Sequence, residues 1–175
     1  HGALVSTNLN NYDSSYHTLV ANNMIATTSS GSHYGLQLSS VKNTSVWHNS
    51  ISSNGVGQYA TVYINASEKL DFRNNILINN NPANNSHVLN MTTSGIVDSM
   101  DYNNYYSRGG GLVYLSATST YNDLLTWQTN QPNFNVNSTS LDPRVISPTN
   151  LYLNPASPAM FGTYVGFDTD IVSMP

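Results

Sequence analysis

One hydrophobic pattern recurs four times along the first two thirds of the chain. Residues 20–25, 46–51, 72–77 and 100–105 each read apolar, any, any, Asn, any, apolar. The Asn recurs at steps of 26, 26 and 28 residues, and the apolar positions three before it and two after it keep the same register. A period of this length is typical of repeat architectures, in which each repeat packs against its neighbours.

A second segment repeats in the same frame with alternating apolar and polar positions. Apolar, polar, apolar triplets occupy residues 36–38, 62–64, 89–91 and 113–115, at steps of 26, 27 and 24. This period of two predicts strands with one buried face. Because short strands cannot bury that face alone, the pattern predicts a parallel β-solenoid whose coils stack about 4.8 Å apart.

The recurring asparagine is predicted to stabilise the corners of the coils. Asn tolerates a left-handed backbone, which a sharp corner needs, and its amide can donate to one neighbouring coil and accept from the other. We therefore expect an inward ladder of stacked amides formed by Asn23, Asn49, Asn75 and Asn103. The alternative is that these are ordinary exposed turn residues.

Coils such as residues 43–51 and 70–77 resemble the right-handed parallel β-helix repeat family. The resemblance covers roughly residues 15 to 165 and implies an all-β fold of about four to five coils. The C-terminal third is similar to the closing segment of secreted β-helix proteins. That segment occurs in polysaccharide lyases, epimerase-like proteins and archaeal surface proteins related to disaggregatase. The stretches that carry this second likeness are residues 101–106, 124–128, 141–143, 151–153 and 157–159.

The chain is expected to form a single domain, residues 1–175, that ends in a C-terminal cap. Coils are predicted over about 15–117, followed by a capping helix over about 119–130 that Ser119 or Thr120 begins and in which Trp127 is buried. Residues 131–175 are predicted to be irregular and to lie across the last coil. Such a cap would cover the open end of the solenoid.

The composition excludes several functional classes. Only 8% of the 175 residues are charged, and polarity comes instead from 26 Asn, 24 Ser and 16 Thr. Five Lys and Arg cannot form the basic face that nucleic-acid binding needs, and no apolar run is long enough to insert into a membrane. The absence of cysteine excludes disulfides and thiolate metal sites.

The same composition favours a secreted or cell-surface glycoprotein. Uncharged amide and hydroxyl surfaces are what we expect of extracellular proteins. Asn-x-Ser/Thr sequons, which are candidate glycosylation sites, begin at Asn43, Asn65, Asn84, Asn90 and Asn137.

The repeat register predicts which side chains stack on the outside. Arg73 is expected to lie over Trp47 and to pair with Asp101. Such a patch can bind sugar through Trp47 and Arg73, whereas the alternative is a ladder that only holds adjacent coils in register. If the patch is catalytic, His48 or Tyr102 can move a proton. The predicted shared patch consists of Trp47, His48, Asp71, Arg73, Asp101 and Tyr102.

A second outward column carries Gln37, Tyr63, Asn90 and Tyr114. Tyrosines and amides at coil spacing suit sugar binding, since they supply flat apolar area and uncharged hydrogen-bonding groups. Tyrosine is also common on strands because of its β-propensity alone. From this column we select Gln37, Tyr63 and Tyr114 as candidate carbohydrate-binding residues.

The sequence thus predicts an extracellular β-helix module that binds complex polysaccharide, as part of a larger carbohydrate-active or surface protein and without activity of its own. One alternative is a structural unit of a surface layer, filament or adhesin that self-associates through its N-terminal coil end, near residues 3–12. A second is a polysaccharide lyase or hydrolase fragment, with catalytic candidates His48, Asp71, Arg73, Asp101 and Tyr102. No cofactor is predicted; calcium is left open, although the Asp- and Gly-rich turns that bind it in solenoids are missing.

Overall fold

The computed structural model describes the backbone of residues 3–6, and residues 17–55, 57, 60–83, 85–92, 97–115, 119–159, 162, 163 and 165. These residues form short strands and one helix. The strands are β1 (Ala3–Ser6), β2 (Thr18–Ala21), β3 (Met24–Ser29), β4 (Tyr34–Ser39), β5 (Lys42–Trp47), β6 (Ser50–Gly55), β7 (Ala60–Asn65), β8 (Glu68–Arg73), β9 (Ile76–Asn79), β10 (His87–Met91), β11 (Val97–Asp101), β12 (Asn104–Ser107), β13 (Gly111–Leu115), β14 (Ser119–Tyr121), β15 (Val145–Ser147) and β16 (Asn150–Leu153); the helix is α1 (Leu124–Asn130).

Three parallel sheets stack these strands into a solenoid. Within the described residues, sheet A has the order β1-β4-β7-β10-β13, sheet B has the order β2-β5-β8-β11, and sheet C has the order β3-β6-β9-β12. Every third strand therefore pairs with its counterpart one repeat later, as Val20, Val46 and Phe72 illustrate. The predicted parallel β-solenoid is confirmed, and the chain makes about three turns.

Inward-facing apolar residues of all three sheets form one core. Leu36, Val62, Leu89 and Val113 stack in register along sheet A and are buried. Ile51 and Leu77 do the same from sheet C. Each coil buries its apolar face on the coils above and below it, which is the stacking that the repeat pattern predicts.

The corner between sheets B and C uses two consecutive residues for two separate purposes. The left-handed conformation belongs to Asn22, His48, Asn74 and Tyr102, with φ between 53° and 58°. The ladder asparagine follows one residue later and points inward; Asn49 is 0% exposed. Our expectation that one asparagine both turns the corner and forms the ladder is wrong. The residue with positive φ turns the corner, and the residue after it carries the inward amide.

The helix at the C-terminal end is shorter than predicted. Residues Ser119–Tyr121 form β14, which pairs antiparallel with β13 and covers the edge of sheet A. The helix begins at Leu124, because the side chain of Asp123 accepts from the backbone N–H of Thr126. The prediction that Ser119 or Thr120 begins it is therefore wrong. Trp127 is buried as predicted and stacks on Tyr121.

The segment after the helix first pairs with the last coil of the solenoid and then leaves the solenoid. The backbone N–H of Asn135 donates to Met100 O, and Thr139 pairs in parallel with Asn104. Ser138 takes the position of the next ladder residue, since its hydroxyl accepts from the backbone N–H of Asn103. This segment lies across the last coil, as predicted.

The rest of the described tail is neither irregular throughout nor confined to the last coil. Strands β15 and β16 form an antiparallel pair, and β16 lies beside β3 and β6 of sheet C. The tail covers much of the outer face of that sheet, where Ser52 is 0% and Ile78 is 1% exposed. The prediction of irregular structure over 131–175 is wrong because residues 145–147 and 150–153 form paired strands, and Leu151 on the second of them is buried. Residues 160, 161, 164 and 166–175 lie outside the described residues.

Candidate functional site

The outer face of sheet B presents the predicted columns of side chains. One column reads Ala21, Trp47, Arg73 and Asp101, and the next reads Leu19, Ser45, Asp71 and Ser99. Since the strands are in register, side chains of successive coils are neighbours about 4.8 Å apart. Sheet B therefore brings together groups that are 26 or more residues apart in sequence.

Arg73 is held by two neighbours on this face. Its Nε donates to Oδ1 of Asp71 at 2.6 Å, and its Nη2 donates to Oδ2 of the same carboxylate. The guanidinium carbon lies 5.5 Å from the centroid of the Trp47 ring, as predicted. The paired carboxylate raises the pKa of Arg73. This arrangement fixes the guanidinium with its Nη1 free of hydrogen bonds to any described residue.

The expected pair between Arg73 and Asp101 is not formed. Asp71 and Arg73 are two residues apart on one strand, so their side chains leave the same face. Asp101 accepts instead from the backbone N–H of Asn137 at 2.7 Å and from Asn137 Nδ2 at 2.8 Å. The prediction is wrong because the C-terminal tail, which the repeat pattern does not place, occupies this carboxylate.

A groove of about 430 Å³ runs along this face, and we call it the sheet B groove. His17 enters it from the residue before β2, where Nε2 lies 2.7 Å from Ser45 Oγ and the ring meets Trp47 edge-on. The groove combines an indole, three basic side chains, two carboxylates and several hydroxyls. Its described lining residues are His17, Asn43, Thr44, Ser45, Trp47, Lys69, Asp71, Arg73, Asp98 and Ser99.

A second cavity of about 290 Å³ lies at the corner between sheets B and C, and we call it the corner pocket. The tail forms its other wall and is attached by Asn74, which donates to Thr163 O and accepts from Thr163 N–H. The predicted patch is thus divided: His48 and Tyr102 line the corner pocket, whereas Trp47, Asp71 and Arg73 line the groove. The described residues that line this pocket are His48, Asn74, Asn75, Ile76, Tyr102, Asn103, Asn104, Asn137, Thr139, Leu153, Pro158, Ala159 and Gly162.

The outer face of sheet A carries the second predicted column, in which Gln37, Tyr63, Asn90 and Tyr114 follow one another in register. Tyr63 stacks on Tyr34, with ring centroids 4.5 Å apart. His87 lies against Tyr114 at 5.5 Å, and burial lowers the pKa of this imidazole. Aromatic rings on neighbouring strands of sheet A are therefore in contact on this face.

The repeat pattern does not assign several residues to the sheet B groove. His17 precedes the first repeat, so no pattern position marks it. Lys69 and Asn43 are 26 residues apart and both have left-handed backbones, at φ values of 52° and 51°. Their spacing equals the repeat period, so it indicates that the two residues occupy the same position in neighbouring coils. Asp98 is the extra residue where the pairing of β11 with β8 shifts between Val97 and Ser99, which a fixed repeat cannot anticipate.

The sequons differ in their surroundings. Asn43 lies on β5, and Asn65 ends β7, where its Oδ1 accepts from Thr92. Asn90 lies in the outward column of sheet A. Asn137 is exposed, but its amide binds Asp101. Asn84 lies outside the described residues.

In the part of the chain that the structure describes, no three His, Asp or Glu side chains form a group that could hold a metal ion. No helix there is both long and apolar enough to span a membrane. Comparison of the chain with family models, curated proteins and solved structures finds no match to any of them. The function must therefore be argued from the two cavities and the sheet faces.

Proposed function

We propose that this protein is an extracellular β-solenoid module that binds polysaccharide through the sheet B groove. One observation carries the proposal: a single open groove collects ring, cationic, anionic and hydroxyl groups from β5, β8, β11 and the residue before β2. A linear polysaccharide repeats its own ring and hydroxyl groups along its length, so a surface with a regular repeat can contact several units at once. The extracellular location rests on composition and sequons.

Arg73 and Lys69 are the groups that we expect to select a glycan bearing carboxylate or sulfate. Arg73 is pre-organised by Asp71 and Trp47, so little side-chain freedom is lost when a ligand binds. Its Nη1 can donate to an anionic oxygen. Lys69 is exposed and lines the same groove. Trp47 supports Arg73 rather than offering a bare ring, because the guanidinium covers it.

Binding is favoured over catalysis because the five catalytic candidates do not converge. Asp71 and Arg73 bind each other in the groove, His48 and Tyr102 line the corner pocket, and Asp101 binds the tail. A general acid or base must lie within hydrogen-bonding reach of the same reacting group as its partners. This division leaves the lyase or hydrolase alternative without an assembled site among the described residues.

The test is affinity electrophoresis and calorimetry with alginate, polygalacturonate, carrageenan and a neutral β-glucan. We expect retention by at least one of the anionic polymers. Arg73→Gln should weaken it about tenfold, the usual cost of losing one charge-assisted hydrogen bond. Arg108→Gln is the matched control, since Arg108 is exposed on the turn after β12 and should leave binding unchanged. No retention by any polymer, or equal binding by both variants, would refute the proposal.

The N-terminal end of the solenoid favours self-association as a second candidate function. Among the described residues, β2 and β3 are the edge strands of sheets B and C at this end. Leu19 on β2 is 47% exposed, and Met24 on β3 is 38% exposed. Edge strands of this kind are templates for pairing with another chain. Sedimentation velocity over a concentration series tests it: the protein should associate, and Leu19→Lys should prevent this, whereas Leu125→Lys on the helix should not.

A further inference from the structure

The corner pocket differs in chemistry from the sheet B groove beside it. Ile76, Leu153 and Pro158 supply an apolar wall, and asparagine amides supply most of the polar groups. None of its described lining residues is Asp, Glu, Lys or Arg. The neighbouring charges are satisfied elsewhere: Arg73 binds Asp71, and Asp101 binds Asn137.

His48 is the one histidine among the described residues that line the corner pocket, and its imidazole is expected to be neutral at physiological pH. Partial burial lowers the pKa of His48, so the cationic form is disfavoured. Its Nε2 lies 3.2 Å from Asn74 Nδ2 and can accept that N–H in the neutral form. A charged ligand would therefore lose its hydration in this pocket without meeting an opposite charge, which is costly.

Two polar groups remain for a ligand. The Tyr102 hydroxyl and Asn137 Oδ1 make no hydrogen bond to any described residue, although both residues line the pocket. Asn104, in contrast, is used by the fold, since its amide bonds Leu141 and Thr139. A pocket whose lining combines a hydroxyl donor, an amide acceptor and apolar side chains suits a molecule that carries both hydroxyls and C–H groups.

We propose that the corner pocket binds one neutral sugar unit, with its hydroxyls toward Tyr102 and Asn137 and its C–H face against Ile76 and Leu153. The proposal rests on the protein being a glycan-binding module and adds a second site of different specificity. A polysaccharide in which a neutral unit adjoins a charged one would occupy the pocket and the groove together, because the two cavities flank the same corner.

The experiment follows the ring resonances of His48 by NMR during titration with single sugars. Glucose, galactose, mannose and N-acetylglucosamine are the neutral probes, and glucuronate and glucosamine are the charged ones. At least one neutral probe should shift the His48 signal in a saturable manner, with the charged analogues about tenfold weaker. Tyr102→Phe should weaken the neutral probe about tenfold through loss of one hydrogen bond.

Tyr152→Phe is the matched control, since Tyr152 is exposed on the same tail and does not line the pocket. Leu153→Phe provides a second, independent variant, which should fill the cavity and abolish the shift while the circular-dichroism spectrum is unchanged. Arg73→Gln separates the two sites: it should lower polymer retention and leave the His48 shift intact. No shift with any neutral sugar, or a larger one with glucuronate, would overturn the proposal.

Discussion

The side-chain oxygen of Asn103 accepts two hydrogen bonds from Asn75, one from the backbone N–H at 2.9 Å and one from Nδ2 at 3.0 Å. Asn49 makes the same two bonds to Asn75. Asn49 and Asn75 therefore each bind the next coil twice. Asn75 Nδ2 also donates to the main-chain carbonyls of Val46 and Arg73.

Replacement of Asn75 by Ala should lower the free energy of unfolding by about 3 kcal/mol, because it leaves buried backbone groups without partners. Urea unfolding measures this loss. Asn23→Ala is the control: Asn23 forms the same bond to Asn49 but is exposed, so water can replace it and the loss should stay below about 1 kcal/mol. Equal losses at the two positions would contradict a buried ladder.

Gly35 is required by close packing inside the solenoid. A Cβ at this position would lie 2.5 Å from Ile51 Cγ2 and 2.8 Å from Thr61 O. Gly35→Ala should destabilise the fold by about 1–3 kcal/mol, the usual cost of overpacking. Gly31→Ala is the matched control, since its nearest contact would be 3.9 Å away. Thermal unfolding of both variants checks the difference, and a harmless Gly35→Ala would show that the core can yield.

Trp127 anchors the C-terminal cap. It is 2% exposed and packs against Tyr105 and Tyr121. Trp127→Ala should cost about 3–5 kcal/mol in unfolding free energy. Leu125→Ala, on the same helix but 74% exposed, should cost almost nothing. If the two variants unfold at the same urea concentration, the helix does not cap the core.

His87 should make stability depend on pH. Because burial lowers its pKa, the unfolded chain binds a proton at a higher pH than the folded chain does. The free energy of unfolding should therefore fall as pH is lowered through about 6.5, the ordinary pKa of His. His87→Gln should reduce the slope between pH 7 and 5, with His48 supplying the slope that remains, and leave the shape above pH 7 unchanged. Identical slopes for both proteins would refute this role.

The sequence predicts the solenoid and its outward columns well because both follow from periodicity. It predicts less about pairings within a column, since Arg73 has carboxylates available both on its own strand and on the next coil. Arg73 pairs with Asp71, and Asp101 binds Asn137, which lies beyond the repeats. The corner pocket could not be foreseen for the same reason, because the tail forms one wall and no repeat fixes where the tail lies.

The left-handed corner shows how a residue's type can mislead. Asn22 and Asn74 suit positive φ, but His48 and Tyr102 occupy the same backbone position in other coils. Position in the repeat, rather than the preference of each residue, determines the conformation there. Repeat alignment is thus a better guide to this backbone than local propensity.

The asparagine ladder repeats one bonding pattern from coil to coil, so the ladder itself can take an additional coil without a change in that pattern. Asn49 and Asn75 each give the same pair of donors to the amide oxygen of the next rung, and at the end of the ladder the backbone N–H of Asn103 donates to Ser138 of the cap. One repeat inserted between Asn49 and Asn75 would thus find complementary surfaces above and below it. The ladder alone would accept an added coil, but the tail would have to lengthen with it, because Pro148 and Thr163 are hydrogen-bonded to Asn54 and Asn74 of earlier coils.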